Sequence, residues 1–554
     1  MNATLPISEA KENHGEVFTR RWVVDFILDL AGYSKDEDLA YKTIVEPSCG
    51  SGAFLIAIVE RLIHSAKRHQ HNLEDLGCAV RAFDLIASNV ENARRNVLKV
   101  LIANGVSNSV ATVLIDAWIS QGDYLLQDYD FNSVDFVVGN PPYVRLENVD
   151  RGIMEAYRKS CSTMRGRADI YVGFIERGLQ TLKPSGTLAF ICADRWMRNQ
   201  YGAGLREFIT SKYAIQTVVS MHDVDAFEDE VSAYPAVVVL QNKIQEKISV
   251  IDVNSGFNEH EAGRVAEWVL CGKERSIENC SYEASRIDRW FEGRDLWPSG
   301  SPTQLALIAE LESRFPPLQD FATGTRVGIG VATGCDQVFI TNDSNLVEPE
   351  RLLPLLQASD IANGKNHWSG TYLVNPWNAT GLVDLEKYPR LAEYLRDNEM
   401  RLKARHIAKK RPDLWYRTID RVHGDLSGRA KLVLPDLKAA AHPVLDDGSF
   451  YPHHNLYYVV SEKWDLRVMG GILLSDIANL FVGAYCVRMR GGTYRFQAQY
   501  LRRIRVPDIE SISKSHRNLL AEAFERRDRD LATQIAFQVY GIHESFRLDK
   551  SLVA

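Results

Sequence analysis

The residues with the clearest chemical capacity are Asn140-Pro141-Pro142-Tyr143. They follow an apolar run, Val134 to Val138, and Gly139. That order is expected of a buried parallel strand leaving through a tight turn. Consecutive prolines lack N–H donors and have a fixed φ, so the turn is stiff and cannot extend a sheet. It presents an amide side chain, uncommitted carbonyls and an aromatic ring at a strand's carboxyl end, where open α/β sheets bind substrates. A flat substrate bearing an amino group suits this set: the ring stacks on it while the amide oxygen and a carbonyl accept from nitrogen. The plainer alternative is an ordinary Pro-Pro surface turn.

The elements that must position this turn come before and after it. Thr19 precedes a segment with apolar positions Trp22, Val23, Phe26, Ile27 and Leu30, the spacing of an amphipathic helix. Thr19 is either its N-cap or part of an anion site at the helix start. Ile44 and Val45 end a short strand, Pro47 to Gly52 form a small-residue turn, and Ala53 to Leu62 form a helix. In such a strand–turn–helix unit, backbone N–H groups can approach a ligand; a mere tight turn is the alternative. Asp84 closes the apolar segment Ala79 to Phe83, the place of a ribose-binding acid. Asp123-Tyr124 follows Gly122 and a strand-like stretch, Ala111 to Ile115. Either acid alone is equally readable as a solvated turn residue. After the central turn, a helix is expected over Val172 to Leu182, a strand over Thr187 to Cys192 and another over Ala236 to Leu240. Phe227 lies in the acidic loop before that last strand, as a hydrophobic anchor or a ligand contact.

Bulk properties set the frame. A chain of 554 residues implies two domains or more. Hydrophobic and charged contents of 45% and 25% are those of a soluble globular protein. No apolar stretch approaches membrane-spanning length and no leader opens the chain, so a cytoplasmic protein without membrane contact is expected. The eight cysteines include no CxxC pair, which argues against structural zinc and for a reduced compartment. The His453-His454 pair lacks a third ligand nearby in sequence and reads as structural, so no metal is expected. The net charge of -7 hides an asymmetry. After residue 300 there are 33 basic and 30 acidic residues, against 32 and 42 before it. The basic residues of the second half are clustered in Arg401 to Arg411 and in Arg502, Arg503 and Arg505. Such clusters, interleaved with Trp and Tyr, suit phosphate contact, although charged solvated helix faces look the same.

The ordered set GEVFT, EPSCGSG, AFDLIA, GDY, NPPY, DIY and AFEDEVSAYP resembles the gamma class of S-adenosylmethionine-dependent DNA adenine-N6 methyltransferases. These are modification enzymes of bacterial type II restriction systems, similar to the Taq-type methylase. The resemblance covers residues 14 to 245 and continues more loosely beyond. It implies an α/β fold: a Rossmann-like catalytic domain with a mostly parallel sheet over 1–245, a connection over 246–300, an α+β target-recognition domain over 301–510 and a helical segment over 511–554. It implies S-adenosyl-L-methionine as cofactor, held by Thr19, Glu46, Pro47, Gly50 and Gly52 around the methionine part, by Asp84 at the ribose, and by Asp123 and Tyr124 at the adenine. Asn140 and the carbonyl of Pro141 would accept from the target amino group, with Pro142 stiffening the turn. Tyr143 and Phe227 would sandwich the flipped base. Double-stranded DNA and a separate restriction endonuclease are the implied partners. The sequence departs from the family at Arg20-Arg21, where prolines are common. Two other readings use the same tetrapeptide. A fused restriction–modification enzyme needs a nuclease domain, yet the cofactor elements begin at residue 14 and no paired-acid-plus-lysine spacing follows. A glutamine-N5 protein methyltransferase or an RNA methyltransferase leaves about 250 later residues unexplained.

Overall fold

A computed structural model describes residues 17–128, 130–228, 234–488 and 493–543. The beginning of the threonine element (14–16), part of the loop after Phe227 (229–233) and the end of the expected C-terminal helical stretch (544 and 545) lie outside the described residues. The chain forms two compact units, Met1–Thr303 and Gln304–Ala554.

The first unit is built on a ten-stranded sheet. Its strands are β1 (Ile44–Glu46), β2 (Val80–Asp84), β3 (Ile119–Gln121), β4 (Val134–Gly139), β5 (Leu182–Ala193), β6 (Ala214–Ser220), β7 (Pro235–Gln241), β8 (Ile248–Val253), β9 (Ser276–Glu278) and β10 (Tyr282–Ile287). They lie in the order β3-β2-β1-β4-β5-β7-β6-β8-β10-β9. From β3 to β5 every pairing is parallel. Parallel neighbours need crossover helices, and the chain supplies them. Helix α1 (Arg21–Ala31) precedes β1; the crossovers are α2 (Ala53–Arg68) between β1 and β2, α3 (Ala87–Ala103) and α4 (Asn108–Trp118) between β2 and β3, and α5 (Arg151–Ser160) and α6 (Tyr171–Thr181) between β4 and β5. β7 runs antiparallel between β5 and β6. The carboxyl ends of β1, β2 and β4 thereby share one edge, and Glu46, Asp84 and Asn140 sit there.

Three local expectations are corrected. Ala111 to Ile115 is helix, not strand. Ser107 caps α4 at Val110 N, and Ala111, Leu114, Ile115 and Trp118 form its buried face. That 3–4 spacing outweighs the strand-like composition. Thr19 does not cap α1: the cap position is Arg20, without a side-chain cap bond. Residues 246–300, expected to connect two domains, complete the first sheet. β8 pairs parallel with β6, and β10 pairs antiparallel with β8. Phe257 from this stretch packs edge-on against Phe26 of α1 at 5.8 Å, and Trp297 packs against Trp196 at 4.9 Å.

The second unit is α+β. A four-stranded antiparallel sheet orders Arg326–Ile329, Leu456–Val460, Lys431–Pro435 and Val444–Asp446. A second small sheet contains Leu352–Leu356, Tyr372–Val374 and Tyr451–Pro452. The helices Lys514–Arg526 and Arg529–Tyr540 pack on Leu466–Leu474. Close contact is possible there because Gly471 has no Cβ; one would lie 2.3 Å from the Leu520 carbonyl oxygen. No single helix among the described residues is long and apolar enough to cross a membrane.

One ion pair in this unit is fully buried. Lys431 Nζ lies 2.6 Å from Asp446 Oδ2, both side chains at 0% exposure, and also donates to the Phe450 carbonyl at 2.9 Å. Removing one partner leaves an uncompensated interior charge. Lys431→Met is expected to lower stability by about 3–5 kcal/mol in urea unfolding, and Lys431→Met with Asp446→Leu to recover most of it.

Candidate active site

Asn140 is where the site is fixed. Its Nδ2 donates to the Val17 carbonyl at 3.0 Å and to Thr19 Oγ1 at 3.2 Å. A carbonyl only accepts, so the amide nitrogen must face Val17 and the oxygen must face away. That oxygen, Oδ1, is buried and has no hydrogen-bond partner. The backbone carbonyl of Asn140 is taken by Ser48 Oγ at 3.2 Å. Gly139 has φ +151, and a Cβ there would press toward Pro47 Cδ and Glu46 Cγ at 3.6 and 3.7 Å. The exits of β1 and β4 are therefore in contact.

Thr19 has a different role from the expected cap. It forms a bridge with Phe227, flanked by Arg20 N to the Ala226 carbonyl at 3.1 Å and Glu228 N to the Phe18 carbonyl at 2.9 Å. The loop carrying Phe227 is anchored at His222, whose Nε2 lies 2.6 Å from Asp194 Oδ2 just beyond β5. Burial opposes the Asp194 charge, but Arg198 and His222 outweigh it and hold the carboxyl down to about 2. Phe227 and Tyr143 are neighbours, with centroids at 6.3 Å and planes at 81°. They meet edge to face and leave no parallel slot for a sandwiched base in this conformation. Tyr171 contacts the Tyr143 ring in the same way at 6.2 Å and 83°. The tilt of Tyr143 is thus set by two rings, and burial pushes its phenol up.

On the neighbouring strand ends, Glu46 is 2% exposed, with Oε2 unpartnered. Burial, reinforced by Asp84, pushes its carboxyl well above the usual range. Asp84 accepts from Gly50 N at 2.8 Å, Ile86 N at 2.9 Å and Asn89 Nδ2 at 3.3 Å. It braces the glycine turn, and its lone pairs are nearly all used. Gly52 starts α2 with φ +97, and a Cβ there would touch Ala93 at 3.4 Å. Pro47 is buried between the two strand exits. These residues fit a bound methyl donor: the buried Glu46 carboxyl, with Oε2 unpartnered, offers an acceptor suited to a cationic amino-acid end.

The Asp123 carboxylate is already engaged. Oδ1 accepts from Leu125 N at 2.9 Å and Oδ2 from Tyr157 OH at 2.7 Å. Tyr124 turns inward and stacks on Phe174 at 5.4 Å. Its ring belongs to the core, not to a cofactor face. The basic cluster near 502 is internally used as well. Arg502 donates to the Val327 carbonyl at 2.9 Å, and Arg503 and Arg505 lie 3.4 and 3.7 Å from Glu312. Within the 401–411 run, Arg405 donates to the Trp415 and Arg417 carbonyls, whereas Arg401, Lys409 and Lys410 are exposed. Sequence reasoning gave no role to Val17, Ser48 or Tyr171, although each lies inside a quoted motif, GEVFT, EPSCGSG or DIY.

Relatives decide the family. Along 96% of this chain and 93% of its own length, the type II methyltransferase M.PaeR7I of Pseudomonas aeruginosa is 42% identical. The chain belongs to the type II methyltransferases of restriction–modification systems. M.XhoI of Xanthomonas vasicola is 40% identical over 97% of the chain and 98% of its own length. Residues 70–227 match the Eco57I restriction-modification methylase family. The fold agrees with that of the type IIL restriction-modification enzyme MmeI, solved in complex with DNA, at TM-score 0.62 and 12% identity over 98% of this chain and 78% of MmeI. The methyltransferase acts on DNA, and its methyl donor is S-adenosylmethionine.

The Glu46 environment yields a pH-dependent prediction. Folding raises the Glu46 pKa, so its protonated folded form carries no penalty. The penalty grows as pH rises above 4.5, its unperturbed value, through the raised folded value. In the cofactor-free methyltransferase, Glu46→Gln is expected to leave the melting temperature unchanged near pH 4 and to raise it near pH 7.

Proposed function

We propose that the methyltransferase transfers the methyl group to the N6 amino nitrogen of adenine within a specific duplex sequence, after the base is rotated out of the helix. The observation that carries this is the buried, unpartnered Asn140 Oδ1 on a side chain whose nitrogen is tied down. An exocyclic amine has two N–H donors, and the turn supplies two acceptors, Oδ1 and the Pro141 carbonyl. The adenine amine is a poor nucleophile because its lone pair is delocalised into the ring. Two fixed acceptors draw charge toward nitrogen and stabilise the positive charge that grows there during transfer. No tuned base is needed beforehand, since the nitrogen becomes acidic as it gains the methyl. S-adenosylmethionine supplies an electrophilic methyl on an excellent leaving group, so alignment is most of the protein's task.

Extruding a base costs a few kcal/mol, and stacking on one aromatic face returns about 1–3 kcal/mol. Tyr143 is the proposed face. Phe227 supports it from the side in the arrangement seen, and becomes a second wall only if its ring turns. Glu46, with Pro47, Gly50 and Gly52, is assigned to the methionine part of the cofactor. Thr19 is assigned to its carboxylate, Asp84 to its ribose, and Asp123 and Tyr124 to the neighbourhood of its adenine through their backbone. The second unit is assigned to target recognition, with Arg401, Lys409 and Lys410 as phosphate contacts. Modification by this cytoplasmic enzyme protects host DNA from a separate, cognate endonuclease.

Asn140→Ala is expected to abolish methylation while S-adenosylmethionine affinity stays within about twofold, because the acceptors and not the cofactor pocket are lost. Mass spectrometry of DNA nucleosides from an expressing host reads out N6-methyladenine directly. Methylated cytosine in its place, or adenine methylated at the parental rate by Asn140→Ala, refutes the assignment. Tyr143→Phe is expected to keep most activity, and Tyr143→Ala to lose about 5- to 100-fold in kcat/KM, the worth of one stacking face.

A further inference from the structure

The His453-His454 pair acquires in three dimensions the ligand that the sequence does not place near it. Asp336, far earlier in the chain, opens a short helix, Asp336–Phe339. His453 Nε2 lies 3.5 Å from Asp336 Oδ2 and 2.8 Å from His454 Nδ1. One ligand atom from each of the three residues falls within 4.8 Å of the others. In a tetrahedral site with bonds of about 2.0–2.1 Å, ligand atoms are separated by roughly 3.3 Å. The 3.5 Å separation already matches. The 2.8 Å separation is that of an N–H···N hydrogen bond, and it opens by roughly half an ångström when that proton is exchanged for an ion.

Backbone contacts hold the two segments together, and a side-chain contact orients the carboxylate. His453 N donates to the Leu356 carbonyl at 3.0 Å, and His454 N donates to the Val331 carbonyl at 3.1 Å. The loop ahead of Asp336 can approach the pair because residue 330 is glycine; a Cβ there would lie 2.2 Å from the His453 carbonyl oxygen. Thr333 Oγ1 donates to Asp336 Oδ1, which orients the carboxylate and leaves Oδ2 toward His453. Such outer partners fix the geometry of metal ligands. His453 is 5% exposed, whereas Asp336 and His454 are exposed. An ion can therefore enter, and a further coordination position faces solvent.

We propose that Asp336, His453 and His454 form a binding site for a late first-row divalent cation such as zinc, clamping the glycine-containing loop 330–336 to the turn at 453–454 that joins Tyr451–Pro452 to Leu456–Val460. Two imidazoles with one carboxylate suit zinc, cobalt or nickel, whereas magnesium and calcium require mainly oxygen ligands. The site is independent of the methyl-transfer chemistry and lies wholly within the second unit.

The test uses the full chain, stripped with chelator and titrated with cobalt(II). One equivalent is expected to bind with visible d–d absorption, to be displaced by zinc, and zinc is expected to raise the melting temperature. Asp336→Asn and His454→Ala alter exposed side chains, and metal-free melting shows whether each variant remains folded. Each is expected to weaken cobalt affinity by at least about tenfold and to abolish the zinc-dependent stabilisation. Absence of saturable binding by the parent chain, or unchanged affinity in either folded variant, overturns the proposal.

Discussion

The proposed chemistry of the first unit depends on the orientation of one primary amide, that of Asn140. A free asparagine side chain flips between two faces that differ in hydrogen-bonding sense, and only one presents an acceptor. The Val17 carbonyl removes that freedom, because it can be met only by the amide nitrogen. The cost is a buried oxygen without a partner, about 1–3 kcal/mol. Supporting it takes a closed circuit of contacts. Val17 and Thr19 hold Asn140, residues 18 to 20 pair with the Phe227 loop, and that loop is pinned through His222 to Asp194. Segments some two hundred residues apart are thus committed to one side chain. The stability behind them comes from the apolar face of α1, where Val23, Val24, Phe26, Ile27 and Leu30 are buried.

The same geometry explains how one strand edge serves two ligands. Glu46 and Asp84 end β1 and β2, while Asn140 ends β4, and β1 lies between the other two. Every one of these side chains offers oxygen to the site. An edge made of acceptors disfavours phosphate and other anions, and it favours ammonium, sulfonium and amino groups. The acidic balance of the first 300 residues points the same way. Under the proposed function, such an edge would not attract the DNA backbone, and the exposed Arg401, Lys409 and Lys410 are the residues proposed to meet phosphate.

What could be read in the sequence was local. The Asn140 turn, β4 before it, the glycine turn and the Asp84 strand end are written in contiguous residues, and all lie at one sheet edge. What escaped depended on partners distant in sequence. Asp123 invites reading as a ligand until Tyr157 is found on its carboxylate. Arg503 and Arg505 look like phosphate contacts until Glu312 is placed beside them. Residues 246–300 look like a linker because polar and charged sequence follows the short strand at 248–253, and their place emerges only from the pairing of β8 with β6 and of β10 with β8. Helix α4 was misread for another reason: Val110, Thr112 and Val113 are β-formers by type, and the burial of every third or fourth residue outweighs them. His453 and His454 read as structural until Asp336 is placed beside them.

Why the acceptor is an amide and not a carboxylate follows from its neighbours. Glu46 already has its proton affinity raised by burial and by Asp84. A third carboxylate at the exit of β4, whose Gly139 lies against Glu46, would add another like charge in a desolvated place. Such groups resolve the conflict by sharing a proton, and a protonated acid donates where an acceptor is required. An asparagine oxygen cannot be protonated near neutrality, so it accepts at any working pH. Neutrality has a second consequence. In the proposed transfer, the N–C bond forms as the S–C bond breaks to leave a neutral thioether, and the alkylated nitrogen then loses its proton to solvent; a neutral acceptor stabilises the developing charge without trapping the product amine as an ion pair. The tethered amide is therefore the one side chain of this size that meets both demands beside two buried acids.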